Sequence, residues 1–336
     1  MGTLSTDTCA VLGAGSWGTA LALLLAADDG LTVRLWDRTP SLLARIGAEG
    51  ENARYLPGFP LPPNVAAAPD LAAALSDAAC VVVAVPSGAV REVLTHAAPH
   101  LPAGCDVVLA AKGMEAGTGL LPAQVAEEVI GADFPVVALS GPNLAAEVAK
   151  GVPAAAVAAC PHGAAAERVA ARFSRPAFRV YTSDDRTGVE IGGAVKNVLA
   201  IAGGVSDGLG YGDNTKAALL TRGLAEMARF GAACGARRDT FYGLAGVGDL
   251  MATAASRLSR NYRVGEGLAK GETLKAVLAR LGQVAEGVPT ARAVASLAGR
   301  LGVETPICAA VARLLFEGTS PAEEVGALMG RAPKEE

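Results

Sequence analysis

The chain has 336 residues, 51% of them hydrophobic and 18% charged, which excludes a disordered polymer and leaves apolar surface for two cores. Its formal net charge is -4 and no Lys/Arg run stands out, so nothing points to nucleic acid, and an anionic ligand would have to be met by a few local cations. The apolar stretches are short or broken by Gly, Pro or charge, and no basic and apolar leader opens the sequence, so a cytoplasmic protein without integral membrane contact is expected.

In chain order, residues 9–12 read as a strand, 16–27 as a helix and 31–36 as a second strand. Further strands are expected at 79–85, 107–111, 136–139, 154–159 and 178–181. Their continuous Val/Ala/Leu runs, without strict alternation, predict strands covered on both faces. Helical patterns between them predict βαβ units and a mainly parallel sheet. From about residue 188 the strand-like runs stop. Helical patterns follow at 188–208, 214–234, 265–270, 274–281, 290–302 and 306–317, with a frayed tail from 331. These patterns predict an α/β domain over 1–188 followed by an all-α C-terminal domain over 189–336.

The six cysteines contain no C-x-x-C and mostly sit beside Val or Ala runs, so they read as reduced thiols. His96 and His100 are spaced i, i+4 and could share a metal. No carboxylate or cysteine cluster supports them, so a solvated helix face is the expectation and no metal is expected. Residues 1–6 fit the loose N-myristoylation pattern, but a strand begins almost at once, which makes the match a coincidence.

Gly13-Ala14-Gly15-Ser16-Trp17-Gly18 follows the first strand and opens the first helix, which is G-x-G-x-x-G in the context it requires. Gly13 allows a sharp turn, Gly15 lets a pyrophosphate approach the backbone, and Gly18 lets helix and strand pack closely. The helix N-terminus, from Ser16 and Trp17 onward, offers free N–H groups to phosphate. The reading is therefore a Rossmann-type dinucleotide-binding domain. The second strand ends at Trp36-Asp37-Arg38. An acidic residue there bonds ribose hydroxyls and favours NAD, while an adjacent arginine accommodates the extra phosphate of NADP. With both present, NAD or NADP remains open.

The segment Gly13-Ala-Gly-Ser-Trp-Gly-Thr-Ala-Leu-Ala22 resembles the opening of the NAD(P)-dependent glycerol-3-phosphate dehydrogenase family, bacterial type. In order along the chain, 52–58 (NARYLPG), 110–113 (AAKG), 139–142 (LSGP), 192–197 (GGAVKN), 246–250 (GVGDL), 259–261 (SRN) and 284–288 (VAEGV) resemble the same family. Each piece alone is unspecific; the ordered set spans nearly the whole chain. The resemblance implies reversible reduction of dihydroxyacetone phosphate to sn-glycerol 3-phosphate by NADH or NADPH, supplying glycerophospholipid synthesis. A homodimer through the Ala/Gly-rich helical domain is also expected.

Reducing a ketone creates an alkoxide that needs a proton, so a general acid must sit at the carbonyl oxygen. Lys196 lies on an otherwise apolar helix, where desolvation would lower its pKa. The resemblance makes it the proton donor and acceptor; the competing reading is a snorkelling surface lysine. Lys112 follows a strand at the carboxyl edge of the sheet and by resemblance contacts substrate and cofactor. Arg260 has the planar fork for a phosphate and by resemblance also touches the cofactor. Ser259 and Asn261 flank it as polar groups for substrate, although Ser259 also reads as a helix cap. Asn197, beside the lysine, is a further substrate contact.

Asp249, in a Gly-rich loop before a helix, could orient Lys196, bond a substrate hydroxyl or cap the helix. Gly141 would let backbone approach the substrate. Asn143 stands where the family usually has Ser or Thr and can still donate and accept. Ala145, Val284 and Glu286 match cofactor positions of the family. Tyr55 matches an aromatic near the cofactor, or is a core residue under a Pro-rich loop.

Two other classes compete. A 3-hydroxyacid or 6-phosphogluconate-type dehydrogenase shares the plan but differs in motif spacing near its lysine. A non-catalytic dinucleotide-binding sensor would have no need of Lys112, Lys196, Asp249 and Arg260 together.

Overall fold

The computed structural model describes residues 7–332. The myristoylation-like segment 1–6, and 333–336 of the expected frayed tail, lie outside the described residues. The chain forms two compact units, Met1–Ala111 with Pro122–Arg186, and Lys112–Leu121 with Thr187–Glu336. A single passage near residue 188 therefore misses the excursion Lys112–Leu121. Its cause is packing: Met114 and Leu121 are buried in the core of the helical unit. Two apolar anchors ten residues ahead of any helical pattern carry no periodic signal.

The first unit holds eight strands: β1 (Asp7–Leu12), β2 (Leu31–Trp36), β3 (Val65–Ala67), β4 (Ala78–Val83), β5 (Asp106–Leu109), β6 (Val136–Ser140), β7 (Ala154–Ala159) and β8 (Phe178–Ser183). Their spatial order is β3-β2-β1-β4-β5-β6-β7-β8. All neighbours are parallel except β6 and β7. β3 is the strand the sequence does not announce, because three residues are too few for a period. It is recruited by backbone bonds of β2, with Val33 N donating to Asn64 O and Ala68 N donating to Leu35 O. The order β3-β2-β1-β4-β5-β6 reverses between β1 and β4, where a doubly wound sheet binds its ligand beyond the carboxyl ends of the strands. β4 to β6 are almost wholly buried, which explains their unbroken apolar runs.

The second unit is built around the helix Arg186–Gly208, buried continuously from Gly188 to Ser206. It is long and apolar enough to cross a membrane, contrary to the expectation that no stretch would qualify, but here it is the core of the helical unit. The helices Asp213–Ala233, Arg260–Ala269, Leu274–Leu281, Gly287–Leu301 and Pro306–Phe316 match expected segments within a few residues. Arg260–Ala269 begins five residues early because Ser259 Oγ accepts from Tyr262 N and caps it. Two helices fall outside the expected ranges: Asp249–Ala255, the helix anticipated after the Gly-rich loop, which follows a wide turn at Leu244–Gly248, and Pro321–Met329. The second carries a legible signal in the Ser320/Glu323 capping box.

All six cysteines are free, and all but Cys234 are buried. Cys9 and Cys80, 71 residues apart in sequence, face each other in register on β1 and β4.

Candidate functional site

The dinucleotide loop is shaped by backbone contacts that leave no room for side chains. Gly13 has φ +111°, and a Cβ on it would fall 2.8 Å from Ala84 O, just beyond β4. A Cβ on Gly18 would fall 1.9 Å from Gly13 O. A Cβ on Gly15, by contrast, would meet nothing within 4 Å. The open space above Gly15 fits the expected pyrophosphate, and the helix Ser16–Ala26 starts there with no side chain capping its first N–H groups. Two ties fix the loop from the 50s segment. Asn52, fully buried, donates through Nδ2 to Ala14 O (2.7 Å) and Thr19 Oγ1 (2.8 Å). Ser16 Oγ donates to Tyr55 O (2.7 Å). The Tyr55 ring is half-buried against the first core and lies under the Arg54 guanidinium, 5.0 Å from centroid to carbon. Trp17 is half-buried, and its Nε1 has no partner among the described residues.

Asp37 is already engaged by the loop. Oδ2 accepts from Ala14 N (3.0 Å) and Oδ1 from Thr39 N (2.9 Å), which leaves its remaining lone pairs for a ribose. Arg38 is exposed and forms a long ion pair with Glu92 (3.8 Å). A cavity of about 430 Å³ opens here, lined by Trp36, Asp37, Arg38, Pro69, His96 and His100 among others. The two histidines read as a solvated helix face are exposed, and they face the same hollow as Arg38.

At the carboxyl end of β6 the chain turns sharply. Gly141 has φ +152°, and a Cβ on it would fall 2.8 Å from both Ala155 O and Ala156 Cα of β7. Asn143 Nδ2 donates to Ala155 O (2.9 Å), while its Oδ1 is buried and has no partner among the described residues. Ser140 Oγ, on the same turn, is also buried without a partner among the described residues. Ala145 opens the short helix Ala145–Ala149 that follows.

In the helical unit two lysines converge on one carboxylate. Lys196 Nζ donates to Asp249 Oδ1 (2.9 Å) and to Thr253 Oγ1 (2.7 Å). Lys112 Nζ donates to Asp249 Oδ2 (2.8 Å). Thr253 Oγ1, one helical turn after Asp249, also donates to Asp249 Oδ1 (3.2 Å). Lys196, Asp249 and Thr253 are all buried. Burial pulls the Lys196 ammonium down to about 8; Asp249 opposes that and Lys112 adds to it. Burial alone would raise the Asp249 carboxyl, but the two ammonium groups win and hold it below the usual carboxylate range. The result is an amine that titrates near neutrality, held by a permanently ionised partner. That combination suits proton transfer to and from an oxygen.

Asn197 and Asn261 form a chain of hydrogen bonds beside this pair. Asn197 Nδ2 donates to Lys112 O (2.9 Å) and Gly193 O (3.1 Å). Asn261 Nδ2 donates to Asn197 Oδ1 (2.8 Å), and Gly287 N donates to Asn261 Oδ1 (2.9 Å). Both N–H bonds of Asn197 are thus spent inside the protein, whereas Asn261 keeps one. Ser259 is buried as the cap of its helix, and Arg260, the next residue, is exposed. Desolvation by the surrounding protein holds the Arg260 guanidinium below its ordinary value, an effect that Glu286, immediately before the helix Gly287–Leu301, partly opposes; Val284 is exposed.

Sequence reasoning did not single out Asn52 or Thr253. The spacing of Thr253 four residues after Asp249, which puts both on one helix face, was the available signal. Asn52 opens the 52–58 segment on which the family resemblance partly rests, but that segment gave it no role.

Residues 8–166 match the family described as NAD-dependent glycerol-3-phosphate dehydrogenase N-terminus, and 185–326 match its C-terminus. A glycerol-3-phosphate dehydrogenase [NAD(P)+] of Thioalkalivibrio sulfidiphilus is 50% identical over 99% of this chain and 100% of its own. One from Anaeromyxobacter dehalogenans is 52% identical over 97% of this chain and 98% of its own. The crystal structure of a glycerol-3-phosphate dehydrogenase from Coxiella burnetii superposes with a TM-score of 0.93 at 40% identity, covering 97% of this chain and 99% of that one.

Proposed function

The chain belongs to the NAD-dependent glycerol-3-phosphate dehydrogenase family, and we propose that its chemistry runs through Lys196 as proton donor and acceptor. It is an NAD(P)-dependent enzyme that reduces dihydroxyacetone phosphate to sn-glycerol 3-phosphate, reversibly, and the product feeds glycerophospholipid synthesis. The observation that carries the mechanism is the pair of lysines on Asp249.

The reduced nicotinamide, when bound, supplies the hydride. Gly13, Gly15 and Gly18 shape the cradle for its pyrophosphate, with Ser16 and Trp17 at the open helix end; Asp37 and Arg38 face the adenosine. Lys196 gives its proton to the oxygen that becomes the secondary alcohol and takes it back in the reverse direction. Asp249 and Thr253 aim its Nζ and keep the proton within reach, while Lys112 supplies a second positive charge toward the substrate oxygens. Arg260 grips the phosphate, for which its exposed fork is suited. Asn197 and Asn261 position the lysines' backbone; Asn261 retains a donor for substrate. Gly141, Asn143 and Ala145 serve the ligand from the β6 turn, and Val284 and Glu286 act on the cofactor beside Arg260.

We also propose a homodimer through the helical unit, supported by the exposed apolar side chains of Tyr242, Met251 and Leu258. A cytoplasmic location without integral membrane contact is supported by six free thiols and by the burial of the span-length helix Arg186–Gly208 from Gly188 to Ser206.

Loss of reduced-nicotinamide absorbance is the test. Oxidation of NADH or NADPH with dihydroxyacetone phosphate, and little with phosphate-free dihydroxyacetone, is the expected result. No oxidation by folded protein with either cofactor would overturn the substrate assignment.

A further inference from the structure

The peptide that joins Ala14 to Gly15 is held from one side by a buried side chain of the 50s segment. Asn52, fully buried, opens a stretch of chain that closes on itself, with Leu56 N donating to Asn52 O (2.9 Å) and Leu61 N to Gly50 O (2.7 Å). Its Nδ2 donates to Ala14 O at 2.7 Å and to Thr19 Oγ1 at 2.8 Å, and its Oδ1 accepts from Tyr55 N at 3.3 Å. A backbone carbonyl can only accept, so the amide has one orientation and both of its N–H bonds are committed.

The bond to Ala14 O fixes a direction. No peptide bond among the described residues is cis, so the Ala14 carbonyl and the Gly15 N–H point opposite ways. Ala14 O is drawn onto a fully buried amide, which turns the Gly15 N–H away from it. Gly15 N has no acceptor among the described residues, and a Cβ on Gly15 would meet nothing within 4 Å. The preceding peptide is held independently, by Ala14 N donating to Asp37 Oδ2 (3.0 Å). Released from Asn52, the Ala14–Gly15 peptide could turn over, since Gly15 carries no Cβ to resist it. The carbonyl would then face outward, and a carbonyl oxygen repels the phosphate oxygens that an N–H attracts.

We propose that Asn52 is a positioning residue for the cofactor: by holding Ala14 O inward it presents the Gly15 N–H to the pyrophosphate, while its second bond, to Thr19, only anchors the amide. This rests on the cofactor placement proposed above. A donor fixed before the ligand arrives needs no ordering on binding, which is how a buried amide raises affinity without touching the ligand.

Equilibrium binding of NADH and ADP-ribose to the full-length protein tests it, with melting temperature and steady-state kinetics measured alongside. In Asn52→Ala both dissociation constants should rise about tenfold or more, the worth of one charge-assisted hydrogen bond. At saturating cofactor, kcat and the KM for dihydroxyacetone phosphate should stay within about twofold of wild type, because only cofactor binding is lost. Thr19→Val removes the second acceptor and leaves Ala14 O bonded, so it should melt lower yet bind both ligands as wild type does. If Asn52→Ala does not fold, Asn52→Ser is measured in the same way, with the same loss of affinity expected. Variants at positions 52 and 19 that weaken both ligands in proportion to their loss of melting temperature would overturn the proposal in favour of a purely structural amide. Wild-type affinity in Asn52→Ala would overturn it outright. Gly15→Ala keeps this failure apart from that of the cofactor placement. Its Cβ meets nothing inside the protein, so the variant should fold normally and lose both ligands only because the pyrophosphate comes down on that turn. Undiminished binding by Gly15→Ala would remove the cofactor placement itself.

Discussion

Lys112 and Lys196 end on opposite oxygens of the same buried carboxylate, Asp249, at 2.8 and 2.9 Å. Two ammonium groups held so close repel each other, and the carboxylate between them is what makes the arrangement stable. Burial, with a smaller contribution from this repulsion, brings Lys196 into the range where an amine can both give and take a proton.

The pH dependence follows with a definite sign. Lys196 must be protonated to donate in the direction of ketone reduction, and its pKa is about 8. Reduction, followed as kcat/KM, should therefore be level below that value and fall about tenfold per pH unit above it. Oxidation of glycerol 3-phosphate needs the neutral amine and should rise through the same pH to a plateau. Asp249 raises and Lys112 lowers the Lys196 value, so Asp249→Asn should move the break to lower pH and Lys112→Met to higher pH. Breaks that stay put in both variants would remove Lys196 as the titrating group.

Replacing the amine itself gives the larger effect. Lys196→Met keeps the stem, and Asp249 keeps Lys112 as its partner, so no unpaired carboxylate is left in the core. The fold should survive while kcat falls by about 10²- to 10⁴-fold, with cofactor affinity nearly unchanged. Turnover at the wild-type rate would mean that the proton comes from elsewhere.

Much of this site was legible as separate pieces. The G-x-G-x-x-G turn declares itself because a strand ends and a helix begins on either side of it. Lys196 stands out as a charge on an apolar helix. The sequence could not show that Lys112, Lys196 and Asp249 share one carboxylate, since the partners lie 137 and 53 residues apart along the chain. Nor could it show that Asn197 and Asn261 spend most of their amide capacity on each other and on backbone. Those are tertiary facts, set by how helices dock. β3 failed for a different reason: three residues are held by the bonds of β2, and no propensity of their own is needed. Lys112–Leu121 was assigned by position along the chain, whereas two buried side chains decide where it packs.

Arg260 and the cofactor-side charges can be separated by ligand. Arg260→Ala should lower kcat/KM for dihydroxyacetone phosphate by about 10- to 100-fold, as loss of a charge-assisted fork implies, and lower the weak activity on dihydroxyacetone far less. Arg260→Lys should recover only part of the loss, because a point charge cannot make two parallel bonds. Equal losses on both ketones would show that Arg260 does not read the phosphate.

Arg38 and Asp37 predict different patterns of cofactor binding. Arg38 is exposed and, among the described residues, pairs with Glu92 at 3.8 Å, so Arg38→Ala should weaken NADPH by about tenfold and leave NADH nearly unchanged. Asp37 holds the Gly-rich loop through Ala14 N, so Asp37→Ala should weaken both cofactors. Titration of the four protein–cofactor pairs checks this; an Arg38→Ala variant that loses NADH and NADPH alike would assign Arg38 to the adenine and not to the extra phosphate.

The substrate end of the helical unit depends on a reciprocal pair of glycines. A Cβ on Gly204, in the helix Arg186–Gly208, would fall 2.0 Å from Tyr262 O; a Cβ on Gly265, in Arg260–Ala269, would fall 1.9 Å from Ile201 O. Each helix thus presses its glycine against the backbone of the other, and this contact sets where Arg260 and Asn261 stand relative to Lys196 and Asn197. Alanine normally favours a helix over glycine by about 1 kcal/mol. Here the methyl would meet a backbone carbonyl, which cannot swing aside as a side chain can, and overpacking of this kind costs about 1–3 kcal/mol or more. The clash wins, so Gly204→Ala and Gly265→Ala should each lower the melting temperature by several degrees and raise the KM for dihydroxyacetone phosphate. Gly299, in the helix Gly287–Leu301, is the control: a Cβ there meets nothing within 4 Å, so Gly299→Ala should leave the enzyme equally active and slightly more stable. If Gly265→Ala melts with the wild type, the close approach of the two helices is not what holds the substrate residues in place.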